Sequence, residues 1–190
     1  MNTHKILAGN ILEQVSEENR YLINRKKFIW GNIKPDYVSK YKLKKHYYNE
    51  SIDMIINKIE FLSSLSYSEI NNTYGKKKFS AELGVICHFL CDYFCLAHNK
   101  RWEFKSNFKR HVSYEKMLSK YAREFKFDNL VCDFLDIRDI RVFISENIKY
   151  YEECSHISSD LVYASFVCNS IVNTVFNEIG NNSFSKRRVS

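Results

Sequence analysis

Residues 79–99 read FSAELGVICHFLCDYFCLAHN, and the arrangement expected for the rest of the chain follows from them. The stretch is apolar enough to form a buried helix, yet it carries His88, Asp92 and His98. His88 and Asp92 are four residues apart, a spacing that places both side chains on one face of an α-helix. Ionisable groups on an apolar helix are costly to bury unless something pairs with them, and a divalent cation would do so. The stretch therefore predicts a buried helix that presents ligands to a metal ion.

His98 does not share this face on a straight helix, because six residues correspond to about 600° of rotation and point it about 120° away from Asp92. Either the helix ends near Ala97 and the backbone turns His98 inward, or His98 serves a separate ion. His111 and Glu115 repeat the spacing of four on a following helix. A single buried histidine is usually a satisfied core residue, but two such pairs flanking a third histidine favour a metal site. We expect two ligand-bearing helices packed face to face with metal between them.

The composition of the 190-residue chain favours an all-α fold. One proline and five glycines are few, and long runs without these residues favour helices. The 14 Phe and 13 Tyr residues predict an aromatic-rich core. Apolar stripes predict helices over about 3–19, 20–33, 50–65, 79–99, 111–125, 138–154 and 157–179, with a turn at 34–37 and a polar connection at 66–78. We expect one compact helical bundle over residues 1–180, with a metal site between helices, and a basic, disordered tail at 181–190.

The formal net charge of +7 suits an anionic partner such as a phosphate ester, an anionic membrane surface or a nucleic acid. The lysines are scattered, so each short basic run is more readily a solvated face. No signal peptide is visible and no apolar run reaches the ~20 residues that cross a bilayer, so we expect a cytoplasmic protein with reduced cysteines. Secretion by another route stays open. Cys91 and Cys95 lean toward the face of His88 and Asp92; either one ligates metal, or both are small core residues, which we favour.

Three upstream residues are further ligand candidates. Asp36 follows Pro35 in the KPDY turn, where its simpler role is to cap a helix. His46 lies just before a predicted helix, and His4 lies in the first turn of the first helix. The simpler interpretation of His4 is a polar residue at a frayed terminus.

Taken in order along the chain, these residues resemble the zinc-dependent phospholipases C, a family whose fold is shared with the S1/P1-type nucleases. The resemblance is carried by H-x3-D-x5-H followed by H-x3-E, with an N-terminal histidine, a Pro-Asp-Tyr turn and a histidine before a helix upstream. The residues that match are His4, Asp36, His46, His88, Asp92, His98, His111 and Glu115. The resemblance spans residues 4–115, and of the six histidines only His156 lies outside the pattern.

The resemblance implies two zinc sites, with a third in addition. The first zinc would be held by Asp36, His46, His88 and Asp92, and the second by His98, His111 and Glu115. The third would use His4, Asp92 and the chain's amino terminus, where Met1 stands in place of the family's processed tryptophan. Tyr37 matches the family's aromatic residue after the ligand aspartate and is expected to bind substrate. The chain departs from the family at Leu43, where an aromatic residue is usual, and in having no acidic residue before His4, so choline-type selectivity is not implied.

The function that follows is zinc-dependent hydrolysis of a phosphodiester, most closely that of a phospholipase C. Zinc would supply a hydroxide that attacks phosphorus, with Asp36 as the candidate general base. The partner would be a phospholipid or another phosphodiester, reached by peripheral membrane contact without a transmembrane segment. One alternative is a P1-like nuclease that stacks a single-stranded base on Trp102, Phe104 or Tyr114, although core packing is the simpler role of each. A second alternative is a non-catalytic helical protein stabilised by zinc.

Overall fold

The computed structural model describes residues 3–38, 46–102, 107–127, 131, 135–154 and 156–187, with side chains through residue 185. These residues form helices joined by short connections and contain no β-strand, which confirms the all-α prediction. The α-helices are α1 (Thr3–Gln14), α2 (Glu17–Arg20), α3 (Arg25–Gly31), α4 (Lys34–Tyr37), α5 (Tyr48–Ser63), α6 (Lys76–Tyr93), α7 (Leu96–Asn99), α8 (Phe108–Glu124), α9 (Ile140–Glu152) and α10 (Ile157–Arg187). A π-helix (Glu69–Tyr74) precedes α6, and a 3-10 turn (Ile137–Asp139) leads into α9.

Helix α6 is the centre of the fold. Every residue from Leu83 to Tyr93 is buried, as expected for a helix that is apolar on all sides. Helices α3, α5 and α10 pack around it. Four phenylalanines, Phe28, Phe79, Phe89 and Phe94, are among the largest fully buried side chains, so the core is rich in aromatic residues as predicted.

Helices α3 and α6 touch through two glycines. A Cβ atom on Gly31 would clash with the carbonyl oxygen of Ala81, and one on Gly84 would clash with the carbonyl oxygen of Phe28. Only glycine permits backbones to approach this closely. The contact carries Asn32, which follows α3 and is fully buried, into the core beside α6.

Helix α6 ends at Tyr93. This end is earlier than the one near Ala97 that we expected if the backbone turns His98 inward. Cys95 is extended, and the short helix α7 then begins at Leu96 in a new direction. The backbone N–H of Leu96 donates a hydrogen bond to the carboxylate of Asp160 on α10, at 3.1 Å. A carboxylate 64 positions away therefore caps the new helix, and this break in α6 turns His98 inward.

Other boundaries differ from the sequence prediction. The KPDY turn is the short helix α4, with Pro35 in its first turn, where the missing N–H costs nothing. The predicted boundary at residue 180 falls inside α10, which continues to Arg187. Asn182 donates to the carbonyl oxygen of Ser63 at 2.8 Å, and the Ser183 hydroxyl accepts from the N–H of Tyr67 at 2.8 Å. These contacts with Ser63, at the end of α5, and with Tyr67, in the segment after it, help to stabilise α10 beyond residue 180.

The described helices include none with the length and apolar character needed to cross a membrane. The cytoplasmic location stays a prediction. The described cysteines are free thiols, as expected: Cys87, Cys91, Cys95, Cys154 and Cys168. Cys132 lies outside the described residues.

Candidate metal centre

The structure brings all eight predicted ligand side chains into three groups, and all of them except the fully buried His88 line a pocket of about 970 Å³. The pocket lies between α1, α4, α8 and α10, with the buried end of α6 as its floor. The side chains come from α1 (His4), α4 (Asp36), the segment before α5 (His46), α6 (His88 and Asp92), α7 (His98) and α8 (His111 and Glu115).

The first group consists of Asp36, His46, His88 and Asp92. The His88 Nε2 atom lies 3.2 Å from His46 Nδ1 and 3.5 Å from Asp36 Oδ1. Asp92 Oδ2 lies 2.8 Å from His46 Nδ1 and 3.1 Å from His88 Nε2. Ligands of a tetrahedral zinc are about 3.4 Å apart, since each bond is about 2.1 Å. Asp36, His46 and His88 could therefore hold one zinc ion, and Asp92 Oδ2 lies against two of these three ligands.

The second group consists of His98, His111 and Glu115. Glu115 Oε1 lies 3.2 Å from His111 Nε2 and 3.5 Å from His98 Nε2. Three ligand atoms at these separations could hold a zinc ion. A fourth position would remain open toward the pocket, as is usual in catalytic zinc sites.

A third group combines His4 with His88 and Asp92. The His4 Nε2 atom lies 3.2 Å from Asp92 Oδ1, and the His4 and His88 rings stack with centroids 4.1 Å apart. Met1, which would complete this site by resemblance, lies outside the described residues. His98 Nε2 also lies 3.5 Å from Asp92 Oδ1, so the two oxygens of Asp92 face different groups.

The charges of the two carboxylate ligands Asp92 and Glu115 suit metal binding. Burial opposes the charge of Asp92, but His98, His88 and His4 outweigh it and hold the pKa of this carboxyl well below its usual range. Burial likewise opposes the charge of Glu115, and hydrogen bonds from His111 and His98 lower its pKa to about 2. Both carboxylates are therefore anionic at neutral pH, the form that binds metal.

A backbone carbonyl group fixes the orientation of the His88 ring. Its Nδ1 atom lies 2.8 Å from the carbonyl oxygen of Asn32, which can only accept, so Nδ1 carries the proton. Burial lowers the pKa of His88, so its Nε2 lone pair is available to the first group. Backbone carbonyls commonly orient metal-binding histidines in this way. The sequence does not predict that the Asn32 carbonyl orients His88, because this contact depends on the close approach of α3 to α6.

Asp160 on α10 is a further buried polar residue of the pocket that the sequence analysis missed. It is only 4% exposed and accepts hydrogen bonds from the Tyr114 hydroxyl at 2.9 Å and the Tyr151 hydroxyl at 2.8 Å, besides that from Leu96. Burial raises the pKa of Asp160 to about 6. An acidic residue in an otherwise apolar helix is the same signal that drew attention to Asp92. Asp160 thus ties α10 to both α7 and α8.

The remaining predicted site residues differ in their exposure and contacts. Tyr37 lines the pocket and is 66% exposed. Tyr114 is buried with its hydroxyl bound to Asp160 and its ring edge-on to Trp102, so it is not a stacking platform for a base. Trp102 is itself covered by the Arg110 guanidinium at 3.9 Å, and Phe104 lies outside the described residues. The three groups contain only histidines and carboxylates; Cys91 and Cys95 are buried pocket residues.

The donor set and geometry fit zinc, and comparison with known proteins agrees. A family model described as zinc dependent phospholipase C matches residues 3–172, which include all eight predicted ligands and Asp160. Searches of curated proteins and of solved structures found no match. A match over this much of the chain places it in the zinc-dependent phospholipase C family.

Proposed function

We propose that this protein hydrolyses phosphodiesters with zinc and that its substrate is a phospholipid, cleaved as a phospholipase C would cleave it. The observation that carries the proposal is the position of Asp92, whose two oxygens face separate ligand groups. A bridging carboxylate brings metal ions close enough to act on one phosphate. Family membership supports the same reaction.

The residues of the pocket have separate roles in this proposal. Two zinc ions would be held by Asp36, His46, His88, Asp92, His98, His111 and Glu115. His4 would contribute to a third zinc site. Bound zinc supplies a Lewis acid and lowers the pKa of a water toward 7. Of the two carboxylates in the first group, Asp36 is the accessible one, with 36% of its side chain exposed against 2% for Asp92. Asp36 is therefore the candidate to accept a proton from the attacking water.

The rim of the pocket suits contact with a lipid surface. Tyr37 is 66% exposed and Phe108 is 59% exposed, and both line the pocket. Exposed aromatic side chains insert readily at a membrane interface. We propose that these two residues contact the lipid or the membrane around it.

The test measures zinc and turnover on the same samples. Zinc per chain is determined by mass spectrometry, and hydrolysis is followed with a chromogenic phosphodiester and with short-chain phosphatidylcholine. We expect at least two zinc ions in the wild type, and in His88→Ala we expect a loss of zinc and a fall in turnover on the order of a thousandfold. His156→Ala is the matched control, because His156 is exposed and lies outside the three groups.

Two outcomes would contradict the proposal. Turnover that survives His88→Ala would separate the reaction from the metal centre. Bound zinc without hydrolysis of any phosphodiester would instead support the non-catalytic, zinc-stabilised alternative.

A further inference from the structure

One wall of the pocket carries two cations that no predicted ligand role explains. Four residues of α8 line the pocket and recur at intervals of three and four positions, so they form one stripe on the helix. They are Val112, Lys116, Ser119 and Arg123. Lys116 follows the ligand Glu115 directly. Arg123 is eight residues beyond Glu115, or about 12 Å along the helix axis. The stripe therefore extends from the metal centre outward along the pocket.

Neither cation has a partner in the part of the chain that the structure describes. Both side chains are exposed, and no described residue forms a hydrogen bond or an ion pair with either. Other exposed arginines do find carboxylates, since Arg141 pairs with Asp53 at 2.7 Å and Arg101 with Glu50 at 3.6 Å. Lys116 and Arg123 thus differ from cations that stabilise neighbouring helices.

The acidic residues of the same pocket are already engaged. Asp36, Asp92 and Glu115 belong to the ligand groups. Asp160 holds two tyrosine hydroxyls and the N–H of Leu96. Two divalent ions would carry more charge than the three ligand carboxylates, so none of this negative charge would be left to balance Lys116 and Arg123. The loaded pocket would therefore attract an anion.

Part of the pocket lining is apolar. The apolar residues that line the same pocket as the two cations include Leu7 from α1, Leu118 from α8, and Leu161 and Ala164 from α10. An apolar lining together with fixed positive charge matches an amphipathic anion.

We infer that Lys116 and Arg123 bind a second negative charge on the substrate, so that the preferred substrates are anionic phospholipids, such as those with a carboxylate in the head group. This inference rests on the proposed function and adds a substrate class to it. A neighbouring cation would attract the head-group carboxylate while the scissile phosphate lies at the metal centre. Zwitterionic lipids would lack this contact.

The experiment compares two soluble lipids that differ in head-group charge. The ratio of kcat/KM for dihexanoyl phosphatidylserine to that for dihexanoyl phosphatidylcholine is measured in the wild type and in the double variant Lys116→Gln/Arg123→Gln. We expect the wild-type ratio to exceed about 10 and to fall at least tenfold in the double variant, since two charge-assisted contacts are lost. Lys149→Gln/Arg25→Gln is the control, because it removes the same two charges from exposed sites on α9 and α3 outside the pocket, and it should leave the ratio unchanged.

A binding measurement separates recognition from turnover. Dihexanoyl phosphatidylserine is titrated by calorimetry into zinc-loaded Asp36→Asn protein, in which the proposed base is lost and an amide oxygen stands in for one zinc ligand atom, with and without the double substitution. We expect the double substitution to weaken the Kd about tenfold, and added salt to reduce this difference. Circular dichroism verifies that these exposed substitutions leave the helical content unchanged.

These experiments distinguish a failure of the inference about anionic lipids from a failure of the proposed function. A ratio near one, or a preference for phosphatidylserine that survives the double substitution, would overturn the inference and leave the proposed function standing. Failure to hydrolyse both lipids and the chromogenic phosphodiester would overturn the proposed function itself. Faster cleavage of a single-stranded oligonucleotide than of either lipid would overturn the assignment to anionic lipids.

Discussion

Asp92 is the residue on which the candidate metal centre depends most. It is 1% exposed and touches histidines from four separate parts of the chain: His4, His46, His88 and His98. The i, i+4 spacing with His88 was visible in the sequence because helix geometry alone places both side chains on one face. The contacts of Asp92 with His4 and His98 could not be predicted in this way. They depend on the packing of α1 and on the break between α6 and α7.

Replacing Asp92 tests its position between the ligand groups. Asp92→Ala should release zinc from more than one site and lower turnover on the order of a thousandfold, because both of its oxygens are lost. Glu115→Ala is the matched comparison, since Glu115 belongs to the second group alone, and it should release zinc from that site only. Zinc per chain by mass spectrometry distinguishes the two cases. Equal zinc losses in the two variants would show that Asp92 does not bridge.

At the scale of elements, the contact between α3 and α6 positions the first ligand group. Gly31 and Gly84 bring the two backbones together, and Asn32 then reaches the Nδ1 atom of His88. The sequence predicted both helices from their apolar stripes. It did not reveal this crossing, because two glycines far apart in the chain carry no periodic signal. A break before His98 was one of two alternatives in the sequence, but its position after Tyr93 was not predicted, since the Asp160 that caps α7 lies 64 residues from Leu96.

Gly84→Ala should both destabilise the fold and weaken the metal centre. The added Cβ atom meets backbone, which cannot rotate away, so we expect a loss of about 3 kcal/mol in the free energy of unfolding. Moving α3 away would withdraw the Asn32 carbonyl from His88 and reduce zinc binding at the first group. Urea denaturation and zinc analysis measure the two effects.

Gly9→Ala is the control for this prediction. Gly9 lies inside α1, and a Cβ atom there would meet nothing within 4 Å. Because alanine is the better helix former, this substitution should stabilise the protein by up to about 1 kcal/mol. A Gly84→Ala variant as stable as Gly9→Ala would mean that α3 and α6 are not packed this closely.

At the scale of the whole molecule, the sequence predicted the fold class and named candidate ligands that the structure brings together, but it did not predict the pocket wall. Helical periodicity and the scarcity of glycine and proline are local signals, so the all-α fold followed from them. Lys116 and Arg123 appeared in the sequence as two of 29 scattered basic residues. Their shared wall became visible only once α8 was seen to lie along the pocket.

The metal centre should also contribute to the stability of the whole fold. Its ligands come from α1, α4, α6, α7 and α8, so bound zinc would hold five helices together. Ligand binding to the native state alone stabilises it by about 4 kcal/mol at a thousand times the Kd, which for a chain of this size is a Tm increase of about 10 °C. We therefore expect EDTA to lower the Tm of the wild type by about this amount, measured by circular dichroism at 222 nm. The shift should be smaller in His88→Ala and unchanged in His156→Ala. An equal Tm with and without EDTA in zinc-loaded protein would show that the helices hold their positions without metal, and that the centre is preformed by packing alone.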